Sequence, residues 1–139
     1  MSDLLMAAQQ LARLGRFTEA VEAFQVASDA FELEGAPVHA RRARNEARTM
    51  VVVAWARERW GAMSVLTVMP RTHMPDAREA RSFVVHLELP VPYSGRRRGS
   101  RTLPPTYAAY HTTVTVDNAW RVKAASGPAN EFVVWPGYW

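Results

Sequence analysis

The chain contains no cysteine, only one lysine, and no apolar run longer than residues 50–56 (MVVVAWA). Without cysteine it has no disulfide framework, no thiolate metal site and no thiol nucleophile, so a redox role of its own is not expected. The apolar run is far short of the roughly twenty residues that a membrane helix needs. The first residues do not join a basic segment to an apolar one, so a cytoplasmic protein with no membrane partner is expected. Neither sign of charge is lacking: 17 basic against 13 acidic residues leave a net charge of +4.

A length of 139 residues, 48% of them hydrophobic and 22% charged, fits one globular domain with one core. The excess positive charge belongs to the second half, since residues 1–60 hold eight arginines against eight acids, and residues 61–139 hold eight arginines and Lys123 against five. Arginine suits phosphate and carboxylate recognition, and a bias in base composition produces the same excess.

Apolar residues at three- and four-residue steps predict three helices. Leu4, Ala7, Ala8, Leu11 and Leu14 mark the first, over 3–14, with Ser2 or Asp3 as its cap and Gly15 as its end. Ala20, Val21, Phe24, Ala27 and Phe31 mark the second, over 18–34, capped by Thr18 and stopped by Gly35. Gly15, Phe17, Ala20, Phe24 and Ala27 together resemble a tetratricopeptide repeat, in which the glycine permits the turn and the small alanines let two helices approach closely. A single repeat does not build the concave groove that stacked repeats form, so peptide binding is not implied. The third helix starts at Pro37 and runs to about Trp60, with Gly61 beyond it. From Met50 to Ala56 it is apolar all round, which places it between the hairpin and the sheet. Arg41, Arg42, Arg44 and Arg48 on this helix face the acids Glu19, Glu22, Asp29, Glu32 and Glu34 of the second, and pairing between the two accounts for both charge runs.

After Gly61 the period changes from helical to alternating. Residues 64–69 (SVLTVM) predict a strand, and Phe83, Val85, Leu87, Leu89 and Val91 predict one buried face of another, ended by Pro90 and Pro92. Residues 93–105 (YSGRRRGSRTLPP) read as a basic loop between long strands, residues 107–116 and 120–126 as a hairpin, and residues 131–135 as a last strand. A three-residue loop, Asp117, Asn118 and Ala119, puts Val114 and Val116 on the same face as Trp120, Val122 and Ala124.

The expected architecture is a single α+β domain over residues 1–139: a helical layer over 1–60 and a curved, antiparallel, four- to five-stranded sheet over 62–139. Three helices followed by an antiparallel meander, with the late segment VDNAWRV, resemble the NTF2-like fold and the wider cystatin-like group. That resemblance implies dimers formed sheet to sheet and a conical pocket between helix and sheet. Such pockets serve isomerases, dehydratases, hydrolases and pure binding proteins alike, so fold does not decide function.

Asp76, Glu79, His86, Glu88, His111 and Asp117 are the groups available for acid or base work in a pocket. His86 and His111 lie opposite the apolar side of their strands, but no third ligand joins them at a convincing spacing, so neither a metal nor another cofactor is expected. Arg96, Arg97, Arg98 and Arg101, with Arg121 and Lys123, offer sequence-independent phosphate contacts to a nucleic acid, beside Tyr107, Tyr110 and Trp120 for base stacking. The aromatic end, residues 132–139 (FVVWPGYW), is expected to dock either on a partner or on the chain's own core. The reading favoured over an enzyme or a ligand-binding pocket protein is a non-catalytic assembly module. It associates with itself or another protein through its sheet and through Trp120, Trp135, Tyr138 and Trp139.

Overall fold

Gly15 and Gly35 adopt φ of +75° and +74°, a conformation that other residues reach only with strain, and each ends a helix there. The helices are α1 (Ser2–Arg13), α2 (Phe17–Leu33) and α3 (Pro37–Trp60). The computed structural model describes residues 2–71, 78–90, 97, 98, 101, 102, 106–124, 133 and 134. The expected cap of α2 is not the observed one. Thr18 lies inside the helix, and Arg16 takes the cap position without a side-chain cap bond. Arg16 instead pairs with Glu19 one turn on, at 2.5 Å, where an acid also suits the positive end of the helix dipole.

Ala8, Ala20, Ala27, Ala40, Ala43 and Ala47 are all buried, and their small side chains let the three helices approach closely around Phe24 and Phe31. The lower half of α3 turns from this layer to the sheet. Val52 and Ala56 join the cluster built from Phe83, Val85, Leu87, Val114 and Val116. One helix thus serves two cores in succession, which is why its sequence is apolar all round over residues 50–56.

The strands are β1 (Val65–Pro70), β2 (Ser82–Pro90), β3 (Arg97–Arg98), β4 (Arg101–Thr102), β5 (Tyr107–Val116), β6 (Val122–Ala124) and β7 (Val133–Val134). The main sheet is an antiparallel meander in the order β1-β2-β5-β6, and β7 pairs with β5 on the edge that β6 also uses. Register slips by one residue between Val65 and Thr67, so Leu66 is an extra residue in β1. β3 and β4 form a separate two-stranded ribbon inside the basic segment expected to be a plain loop. The chain is an α+β protein: three helices and an open antiparallel sheet.

The loop after β5 has the expected length of three residues but is displaced by one. The Asp117 N–H donates to the Arg121 carbonyl at 2.9 Å, so Asn118, Ala119 and Trp120 form the loop and Trp120 leaves the strand. The pairs Val116 with Val122 and Val114 with Ala124 keep the expected faces, because the displacement changes the register by two.

Candidate functional site

The described residues hold two arrangements of chemical interest: a polar junction between α3 and the hairpin, and the face of the sheet turned away from the helices.

At the junction, Asn45 and Arg48 are each only 5% exposed. Asn45 donates through Nδ2 to the Arg78 carbonyl at 2.9 Å and accepts the Ala80 N–H at 2.8 Å, which ties the chain entering β2 to α3. Arg48 donates through Nη1 to a carboxylate oxygen of Glu79, whose other oxygen takes Arg44 Nη2 at 2.6 Å. Burial alone pushes the Glu79 carboxyl upward, but hydrogen bonds from Arg44 and Arg48, together with their charges, outweigh it and hold the group below the usual carboxylate range. Charge pairing between α2 and α3 is realised by Arg44 and Glu32 at 3.0 Å. Arg44 and Arg48 both also pair with Glu79, so this part of the charge run serves the junction.

The Trp120 ring lies over the Arg48 guanidinium at 5.0 Å and packs on the helical core beside Phe24 and Ala47. Its φ is +62°, a left-handed conformation that costs a bulky residue about 1–2 kcal/mol. Asp117 braces the turn by accepting the N–H groups of Ala119 at 2.9 Å and Arg121 at 3.0 Å. The Arg121 backbone bond is the main reason that the Asp117 carboxyl titrates below its ordinary value. Trp120→Gly is expected to be more stable than Trp120→Ala by about 1 kcal/mol, because glycine alone relieves the backbone strain while both lose the ring. Urea unfolding of the two variants measures the difference.

On the outer face, alternation along the strands brings together Thr67 and Met69 of β1, Val84, His86 and Glu88 of β2, and Tyr107, Ala109, His111 and Thr113 of β5. Met69 is 55% exposed, Tyr107 50% and the extra Leu66 48%, whereas Val84, His86, His111 and Thr113 are half-buried. His86 and His111 are directly opposite in register, with ring centroids 6.3 Å apart and planes at 39°. Burial, and secondly the neighbouring His111, keep His86 below the ordinary imidazole range. Met63, Ser64, Glu88 and Tyr107 frame a shallow depression of about 410 Å³ at one end.

Of the acid–base candidates, Glu79 and Asp117 are engaged in the junction and the turn. Glu88, His86 and His111 lie on the outer face, and Asp76 is outside the described residues. The interior between α3 and the sheet is filled by Val52, Ala56, Phe83, Val85, Leu87, Val114 and Val116, apolar groups without acid–base chemistry. Trp120 makes its contacts within the chain. Trp135, Tyr138, Trp139 and Arg96 lie outside the described residues, and Arg97, Arg98 and Arg101 stand on β3 and β4, where Arg98 is opposite Arg101. The sequence pattern assigned Arg48, with Arg41, Arg42 and Arg44, to pairing with the acids of the second helix, whereas Arg48 meets Glu79. No local signal sets Arg48 apart from Arg41, Arg42 or Arg44, because its burial comes from Glu79, 31 residues away.

Among the described residues no helix is long and apolar enough to cross a membrane. No family model, curated protein or solved structure matches the chain.

Proposed function

We propose that the chain is a non-catalytic assembly module that pairs with a second copy of itself through the outer face of its sheet. The observation that carries this reading is the composition of that face. Leu66, Met69 and Tyr107 are half exposed around a centre of half-buried Val84, His86, His111 and Thr113, and Glu88 is the only carboxylate among these neighbours. A face of this kind loses little on desolvation and gains from removing apolar area from water. Strand spacing and rise give it about 500 Å² per copy, so two copies bury about 1,000 Å², the lower bound of a specific interface. The NTF2-like resemblance of the sequence, with its sheet-to-sheet dimers, points the same way. We propose that Trp135, Tyr138 and Trp139, which follow β7 in the sequence, contribute further contacts to the second copy.

Light scattering tests the reading. A dimer is expected at micromolar concentration and at both low and moderate salt, since apolar contact is not screened. Met69→Glu is expected to give monomers of unchanged helicity by placing a charge in the interface, and removal of residues 136–139 to weaken the dimer. A native chain that stays monomeric up to about 100 μM, roughly a hundred-thousandfold weaker than a nanomolar dimer and outside the specific class, sinks the proposal.

A second reading rests on β3 and β4, whose register puts two arginine positions opposite each other in a basic segment. Like charges opposite each other destabilise a ribbon unless an anion lies between them. If Arg96, Arg97, Arg98 and Arg101 contact phosphates, affinity for a single-stranded oligonucleotide should fall by roughly 50-fold between 50 and 200 mM salt. Fluorescence polarisation measures the slope, and a flat profile rules this reading out.

A further inference from the structure

His86 and His111 occupy the middle of the outer face. His86 is flanked by Thr67 on β1 and His111 by the Val133 position on β7, so the two imidazoles sit side by side with a strand beyond each. Glu88 is the nearest carboxylate position on the same face, two residues along β2 and opposite Ala109. Among the described residues no group of three or more His, Cys, Asp or Glu is arranged to hold a metal ion, and the pair His86 and His111 supplies two ligands from one chain.

We infer that His86 and His111 are one half of a zinc site that a second copy completes with its own pair. The inference rests on the sheet-to-sheet dimer proposed above. In a dimer of identical faces, a residue near the two-fold axis meets its own mate, so a pair at the centre of the face becomes four imidazoles around one point. Four neutral nitrogen donors match the tetrahedral preference of Zn²⁺, with Zn–N of about 2.0–2.1 Å. Two imidazoles sharing such an ion have centroids about 5 Å apart by that geometry, so the observed 6.3 Å closes by side-chain rotation without moving the strands.

The experiment titrates the full chain, stripped with EDTA, with zinc chloride, following heat by calorimetry and mass by light scattering. One zinc per two chains is expected, with the dimer persisting to at least tenfold lower protein concentration and EDTA reversing the effect. His86→Gln and His111→Gln should each weaken zinc binding at least tenfold with unchanged circular dichroism, whereas His39→Gln, on an exposed part of α3, should not. One zinc per monomer, no heat of binding, or wild-type affinity in His86→Gln would each overturn the inference. A dimer in EDTA that Met69→Glu dissociates, but that binds no zinc, removes the metal site and leaves the assembly reading standing. A monomer with and without zinc removes both.

Discussion

Glu79→Ala is expected to cost about 3 kcal/mol of stability, a large fraction of what a domain of this size has. The reason is the burial of its partner. Arg48 is 5% exposed and its guanidinium depends on the Glu79 carboxylate, on Asn45 and on the Trp120 ring. Removing the carboxylate leaves a buried charge with weak neutral partners, and breaking such a pair from one side costs about 3–5 kcal/mol. The lower end applies here because the Glu79 side chain retains 32% exposure, which admits solvent to the pair. Glu79→Gln should lose nearly as much, since it keeps the shape and removes the charge. The pH dependence follows from the direction of the shift. The folded chain holds Glu79 below its ordinary value of 4.5, so the stabilisation is present above pH 4.5 and is lost as pH falls through the folded value. The difference between wild type and Glu79→Ala, measured by urea unfolding, should therefore shrink below pH 4.5. A difference unchanged between pH 7 and pH 3 would show that packing, and not charge, accounts for the loss.

Phe83→Ala is expected to cost about 4 kcal/mol. Phe83 is fully buried between α3 and the sheet, paired with Pro70 and Val114, and surrounded by Val52, Ala56 and Val85. Neighbours held by strand pairing relax little into the space left, so the cavity cost adds to the lost transfer energy. Phe24→Ala, in the separate helical cluster, should cost a similar amount. Because α3 belongs to both clusters, both variants are expected to move the same single unfolding transition by about 2 M urea. Two transitions, one moved by each variant, would show that the helical layer and the sheet unfold independently.

The two candidate surfaces answer to different physics. The outer face of the sheet gains from desolvation and is insensitive to salt, whereas the basic ribbon gains from counterion release and is weakened by salt. Mass and oligonucleotide affinity, each measured at two ionic strengths, therefore separate the assembly reading from the nucleic-acid reading.

Much of the architecture was legible because it is written in local periods. Alanine and phenylalanine at helical spacing, Gly15 and Gly35 as stops, Pro37 as a start, and the alternation from Phe83 to Leu89 each depend on neighbours a few residues away. The faces of β5 and β6 were legible for the same reason, since alternation survives a displacement of the turn by one residue at each end. Even the double coverage of α3 could be read, because a run that is apolar all round must be covered on more than one side.

Tertiary structure decided the rest. Nothing near Arg48 in the sequence distinguishes it from Arg41, Arg42 or Arg44; its burial comes from a contact with Glu79, 31 residues away. Trp120 was assigned to a strand because alternation put it on one face with Val122 and Ala124, and it left that strand when Asp117 capped the turn and Arg48 offered its ring a cation. His86 and His111 could be assigned to outward faces from alternation, but only the register between β2 and β5 sets them directly opposite each other. Local spacing determines which way a side chain points along its own element, and long-range pairing determines what it meets.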